Sequence, residues 1–139
     1  MNYEQARAYA VNVSRSGSIL GLDSIENLMH ELGDIQERLK IIHIAGTNGK
    51  GSTGAYLERV LIEAGYRVGR YSSPAVFDPM EVWRINLQSM SHEEYADIME
   101  QVKCACDRMV EKGMEHPTIF EVETAMAFLY FYQKKCDYV

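Results

Sequence analysis

A short segment, Gly46-Thr-Asn-Gly-Lys-Gly-Ser52, carries the strongest chemical signal in the sequence. Its glycines permit backbone conformations that other residues resist, so that amide groups can crowd around a ligand. Lys50 adds a positive charge, and the hydroxyl of Ser52 or Thr53 can face a magnesium ion. The pattern predicts a cradle for the phosphates of ATP, built from backbone N–H groups at the start of a helix. The predicted binding residues are Gly46, Thr47, Asn48, Gly49, Lys50, Gly51, Ser52 and Thr53.

The segments around this loop predict the elements that position it. Residues 40–45 form a β-branched run that predicts a buried strand before the loop. From Ser52 onward, apolar residues recur at helical spacing, and Gly65 is placed to end that helix. The apolar face of this helix is expected to contain Leu57, Val60, Leu61 and Ala64. Residues 67–71 predict a second strand, so the order strand, loop, helix, strand indicates an α/β fold with a parallel sheet and flanking helices.

Helices are also predicted before and after this unit. A first helix covers residues 2–13, and residues 14–21 form a loop. Asp23 and Glu26 predict a capping box for a helix that runs to Leu32, and Ser91 and Glu94 predict another for a helix that runs to Glu111. Thr118 opens a long apolar helix, residues 72–86 are irregular, and residues 136–139 look like a strand just beginning.

The composition and net charge of the chain exclude several classes of function. The chain has 139 residues, of which 47% are hydrophobic and 24% charged, as in an ordinary globular domain. With 14 basic and 20 acidic residues, its net charge of −6 disfavours binding to nucleic acid or to anionic membranes. No secretory signal and no spanning segment are visible, which predicts a cytoplasmic protein. Cys104 and Cys106 would point to opposite sides of a helix, so reduced thiols are expected.

The loop departs from the common phosphate-binding pattern because Gly51 separates Lys50 from Ser52. This variant resembles the ATP loop of the Mur ligase superfamily and, more narrowly, that of folylpolyglutamate synthases and dihydrofolate synthases. The resemblance extends over the whole chain. The segments that carry it are residues 21–25, 43–52, 64–74 and 118–125.

The resemblance implies a set of site residues. Ser73 and Glu121 correspond to magnesium ligands of the family, with Glu123 as a competing carboxylate, and Lys50 corresponds to a catalytic cation. Magnesium prefers such hard oxygen ligands and completes its octahedron with water and phosphate oxygens. The segment 75–85 departs from the family pattern, so contacts to the pterin ring transfer least. Trp83 and Phe77 could stack on that ring or serve in ordinary loop packing.

The implied activity is an ATP-dependent ligase that adds L-glutamate to the γ-carboxyl of a folate, or to dihydropteroate, through an acyl phosphate. Residues 1–139 would form a partial N-terminal ATP-binding domain of a protein that is a monomer when full length. The rest of that domain and a C-terminal glutamate-binding domain would be absent, which predicts that this chain alone is inactive as a ligase. Two alternatives are another Mur-type amino-acid ligase and a non-enzymatic nucleotide-binding remnant.

Overall fold

The computed structural model describes residues 1–15, 17, 21–73 and 75–139. Residues 16 and 18–20 of the predicted loop at 14–21, and Pro74 after the two serines, lie outside the described residues. The chain divides into two compact units. The helical unit contains Met1–Glu37 and Ser91–Tyr130, and the loop unit contains Arg38–Met90 and Phe131–Val139.

The described chain contains five α-helices, two short 3-10 helices and three short strands. The α-helices are α1 (Tyr3–Ser14), α2 (Asp23–Glu31), α3 (Lys50–Glu63), α4 (His92–Glu111) and α5 (Ile119–Gln133). The 3-10 helices cover Ile35–Arg38 and Pro79–Val82, and the strands are β1 (Gly69–Tyr71), β2 (Trp83–Ile85) and β3 (Gln88–Ser89). None of the described helices combines the length and apolarity that crossing a membrane requires.

In the helical unit, α1 and α2 both pack on α4. The predicted capping box of α4 is confirmed, because Ser91 Oγ accepts from the Glu94 amide at 3.1 Å and Glu94 Oε1 accepts from the Ser91 amide at 3.0 Å. One face of α4 is fully buried and repeats at intervals of three and four residues. Its large members are Tyr95, Ile98, Met99, Val102, Cys106 and Met109.

The predicted cap of α2 is wrong. Leu22 occupies the N-cap position with no side-chain hydrogen bond, and Asp23 is the first helical residue. An aspartate there still complements the positive end of the helix, so the charge suits the position although the capping bond is missing. The helix ends within a residue of the prediction, followed by Gly33 at φ +90°.

The sheet of the loop unit is antiparallel, with β2 between β1 and β3. The predicted parallel sheet is therefore not what these three strands form. Parallel pairing occurs as an isolated bridge between Val68 and Tyr138, where the Gly69 amide donates to the Tyr138 carbonyl at 2.9 Å. The chain end at 137–139 thus pairs in the direction expected of a beginning strand.

The predicted buried strand at 40–45 is not a strand in the structure. Its backbone makes two bonds to Val139, one from the Ile42 amide at 2.8 Å and one to the Lys40 carbonyl at 3.0 Å. Ile41 and Ile42 remain 45% and 41% exposed. The reason is physical: a buried strand needs partners along both edges and layers on both faces, and the described residues supply one short partner.

Helix α3 also buries less than its sequence predicts. Leu57 and Leu61 are half-buried, Ala64 is exposed and Val60 is 63% exposed. Its fully buried residue is instead the charged Glu58. The helix therefore forms where predicted, while its apolar stripe stays largely in contact with solvent.

Candidate functional site

Gly49 sets the geometry of the glycine loop. It is the N-cap of α3, with φ +73° and ψ 0°, a left-handed conformation that costs residues with a Cβ more than it costs glycine. Its carbonyl accepts the first helical bond, from the Thr53 amide at 2.8 Å. The helix begins at Lys50, two residues before the predicted start at Ser52, so the second half of the motif is the first turn of α3.

This start leaves a set of backbone donors open. The first N–H groups of an α-helix have no partner within it, and Gly49 offers no side chain to cap them. Residues 45–53 are all exposed to solvent. The positive end of α3 and its unpaired N–H groups together can hold an anion.

Lys50 places a cation at the same helix start. Its side chain is exposed, and within the described ranges it forms no ion pair. Ser52 and Thr53 follow on the first turn with exposed hydroxyls. The predicted binding residues thus lie on one continuous stretch of backbone.

Arg70 ties this first turn to the sheet, and the sequence analysis missed it. From β1, its Nη1 donates to Glu58 Oε1 at 3.2 Å and its Nη2 donates to the carbonyl of Gly51 at 3.2 Å. Glu58 is 3% exposed. Arg70 and Glu58 line an open groove of about 600 Å³ beside α3. The other lining residues include Ser52, Tyr56, Arg59 and Arg84. The sequence signal for this pair was Glu58. It is a charged residue on the otherwise apolar side of α3, twelve residues before Arg70 in the next strand.

Ser73 lies exposed, directly after β1 and Ser72. The segment that follows is organised by Glu81, whose carboxylate accepts from the amides of Val76, Phe77 and Asp78 at 2.9 to 3.1 Å. The Asp78 amide, followed by those of Val76 and Phe77, lowers the pKa of the Glu81 carboxyl because each bond favours the charged form. The segment 72–86 is therefore not irregular throughout, contrary to the prediction: a capping box at Asp78 and Glu81 begins the 3-10 helix Pro79–Val82, and β2 follows it.

The two aromatic candidates in this segment differ in exposure. Trp83 is 1% exposed and stacks on Tyr71 with 6.4 Å between ring centroids, which is ordinary packing within the loop unit. Phe77 is 94% exposed. Of the two, Phe77 is the one that presents its ring to solvent and hence to a ligand.

Glu121 lies in the helical unit, at the start of α5 and 7% exposed. Its Oε1 accepts from the amide and the hydroxyl of Thr118 at 3.0 and 3.1 Å, the reciprocal arrangement of a capping box. The Thr-x-x-Glu spacing in the sequence was the signal for this structural role. The neighbouring Glu123 is half-buried, and burial raises the pKa of its carboxyl against the opposing charge of Arg7.

Ser73 belongs to the loop unit and Glu121 to the helical unit. The described residues contain no group of three or more histidine, cysteine, aspartate or glutamate side chains that could hold a metal ion. A cation would have to rely on few protein ligands, as magnesium commonly does.

Comparison with solved structures defines the class of the chain. A folylpolyglutamate synthase from Thermotoga maritima superposes with a TM-score of 0.88 at 36% identity, covering 98% of this chain and 31% of that one. A bifunctional folylpolyglutamate synthase/dihydrofolate synthase with Mn, AMPPNP and L-glutamate bound gives 0.84 at 34% identity, covering 100% of this chain and 32% of that one. The fold is that of a Mur-ligase-type domain.

Sequence comparison narrows this class. Dihydrofolate synthase/folylpolyglutamate synthase of Bacillus subtilis is 37% identical over 138 residues, which are 99% of this chain and 32% of the relative. The resemblance predicted from the sequence is confirmed: the chain is homologous to folylpolyglutamate synthases and dihydrofolate synthases over nearly its whole length. It spans about a third of the length of these relatives. No family model matches the chain.

Proposed function

We propose that this chain supplies the phosphate-binding part of an ATP-dependent ligase that adds L-glutamate to the γ-carboxyl of a folate or to dihydropteroate. The observation that carries the proposal is the start of α3, where left-handed Gly49 leaves the amides that follow it open beside Lys50. The ligands bound in the bifunctional neighbour, a nucleotide analogue, manganese and L-glutamate, agree with this chemistry.

The reaction asks the protein for positioning and charge neutralisation. An oxygen of the substrate carboxylate attacks the γ-phosphorus of ATP, ADP leaves, and an acyl phosphate forms. The amine of L-glutamate then attacks the acyl carbon, loses a proton, and inorganic phosphate leaves. No covalent nucleophile from the chain is needed. The amides at the start of α3 and the Lys50 ammonium would hold the phosphates and offset the charge on the transferred group.

Magnesium would be held by Ser73 and Glu121. The donor set fits, since both are hard oxygen ligands. Because Thr118 occupies Oε1 of Glu121, the oxygen proposed for the cation is Oε2. When bound, magnesium supplies further positive charge for the phosphate oxygens. The capping role of Glu121 and a metal role use different oxygens and are compatible.

We further propose that residues 1–139 form the N-terminal part of an ATPase domain built on a parallel sheet. The parallel bridge between Val68 and Tyr138 supports this arrangement. So does the exposure of Ile41, Ile42 and Val60, which further strands and helices of a longer polypeptide would bury. The three free cysteines favour a cytoplasmic location.

Nucleotide binding is the first test. We expect calorimetry to detect MgATP binding to this chain, and Lys50→Ala to weaken it about a hundredfold, the order expected for loss of a charge-assisted contact. Lys112→Ala is the matched control, because Lys112 is an exposed lysine of the helical unit that pairs with Glu31. Equal affinity in Lys50→Ala and the unaltered chain would contradict the role of Lys50.

Ligation is the second test. The chain alone is expected to be inactive, so it is placed in the Bacillus subtilis relative in exchange for the matching third. Phosphate release that depends on L-glutamate and on a folate or dihydropteroate supports the proposal. Release with a UDP-sugar acceptor instead would favour another Mur-type ligase. A folded chimera that binds MgATP and ligates nothing would favour a nucleotide-binding remnant.

A further inference from the structure

We propose that Arg70 is a positioning residue that holds the first turn of α3, and with it the amides of the glycine loop, in the conformation that binds phosphate. The inference rests on the proposed function and deepens it. It assigns to a side chain of β1 the task of fixing a loop that contributes no capping side chain of its own.

The contacts of the guanidinium span the turn. One nitrogen reaches the carbonyl of Gly51, within the glycine motif, and another reaches the carboxylate of Glu58, two turns along the same helix. Arg70 itself is anchored in β1, where it is paired in register with Arg84 of β2. Through Arg70, β1 therefore contacts α3 at two points, one of which belongs to the glycine loop.

Burial makes the ion pair between Arg70 and Glu58 energetically significant. The side chains of Arg70 and Glu58 are 19% and 3% exposed. A charge pair shielded from water in this way loses little to solvent screening, and removing one partner leaves the other charge buried and uncompensated. Glu58 cannot turn away to solvent, so it fixes where the guanidinium lies.

Gly54 makes the close approach possible. A Cβ at this position would lie 3.3 Å from Nη2 of Arg70 and 3.6 Å from Cζ and Nε. The flat guanidinium thus lies directly on the backbone of the second half of the turn. Without a side chain at position 54, the arginine can reach across to Gly51.

The anchored turn is the one whose amides face the ligand. A phosphate contacts the N–H groups at the helix start, and their directions follow from the dihedral angles of residues 49–52. The loop is exposed on its other side, so Arg70 is the described side chain that constrains it. Fixing the donors before the ligand arrives lowers the ordering cost of binding.

The test compares three variants by MgATP calorimetry. Arg70→Met removes both contacts and is expected to weaken nucleotide binding about tenfold. Arg70→Lys keeps the charge and one donor and should recover part of this loss. Arg59→Met is the matched control, because Arg59 lines the same groove but pairs with Glu63 at 3.4 Å and is 62% exposed.

Gly54→Ala separates positioning from stability. Alanine in a helix interior is favoured over glycine by about 1 kcal/mol, so this variant should not unfold α3. Its new methyl group requires the guanidinium to shift by a few tenths of an ångström, so MgATP binding should weaken less than in Arg70→Met. Unchanged affinity in folded Arg70→Met and Gly54→Ala, or an equal loss in Arg59→Met, would overturn the inference.

Amide hydrogen exchange distinguishes failure of this inference from failure of the proposed function. If the unaltered chain binds no nucleotide, the proposed function fails. The exchange of the amides at 53–55, which close the first turn of α3, then tests the positioning alone. Faster exchange there in Arg70→Met than in Arg59→Met supports it, and equal exchange overturns it.

Discussion

The helical unit and the loop unit differ in how far they bury their apolar side chains. In the helical unit, α4 and α5 bury continuous faces that include Met99, Val102 and Met126 at 1% exposure or less. In the loop unit, Tyr56, Val60 and Val76 are between 63% and 77% exposed. Most large apolar side chains of the helical unit are buried, with Leu22 and Phe120 as exceptions at 68% and 63% exposure, whereas the helix that follows the glycine loop leaves much of its apolar surface exposed.

This difference has a functional meaning. A phosphate cradle needs unpaired backbone donors, which a closed core cannot offer. The loop unit keeps such donors at the start of α3 and fixes them by few contacts, chiefly those of Arg70. The predictions that follow test this contrast.

The largest effect is expected from a cavity in the helical unit. Met99→Ala removes a side chain with no exposure and should lower the free energy of unfolding by about 2–5 kcal/mol. Val60→Ala, on the exposed stripe of α3, should change it by less than about 0.5 kcal/mol. Urea denaturation followed by circular dichroism measures both. Equal losses would mean that the two units are packed alike.

A second variant probes a tight contact of the loop unit. A Cβ at Gly69 would lie 2.5 Å from the ring of Phe131, which is fully buried. Gly69→Ala should therefore cost about 1–3 kcal/mol through overpacking. Adding Phe131→Leu should return part of the loss, because the smaller side chain leaves room. Additive losses in the double variant would show that the contact is not the cause.

A smaller effect is expected at the helix caps. Ser91→Ala removes the observed capping bond of α4 and should cost about 1 kcal/mol. Asp23→Ala removes only a charge from the first turn of α2, where no capping bond exists, and should cost a few tenths of a kcal/mol at about neutral pH. Thermal melting of both variants measures the difference. A loss at Asp23 as large as that at Ser91 would indicate a cap that the structure does not show.

The smallest expected effect is a difference in the rate at which the three cysteines are alkylated. Burial raises the pKa of the Cys106 thiol to about 12 and that of Cys136 to about 11. At about pH 8 the raised pKa leaves both of these thiols protonated, and Cys104 is the cysteine that is exposed to reagent. Iodoacetamide followed by mass spectrometry should label Cys104 first, then Cys136 of the loop unit and Cys106 last. Early labelling of Cys106 would show that the helical unit opens readily.

The sequence predicted what is local and missed what depends on partners. The caps at Ser91, the glycine loop and the helix that follows it are encoded in neighbouring residues, and the structure shows them. The strand at 40–45 was predicted from its own residues, but a strand exists only with partners, and the described chain supplies one short one. The pairing of Arg70 with Glu58 was missed for the same reason, since it joins a helix to a strand.

The central claim is that phosphates settle on the amides at the start of α3. Titration of nitrogen-15-labelled chain with MgATP, followed by amide chemical shifts, tests it residue by residue. The account predicts that the largest shifts fall at 49–53 and that the helical unit, which holds no part of the loop, shifts little apart from residues near Glu121. Absence of shifts at 49–53 at saturating MgATP, or shifts concentrated elsewhere, would contradict it.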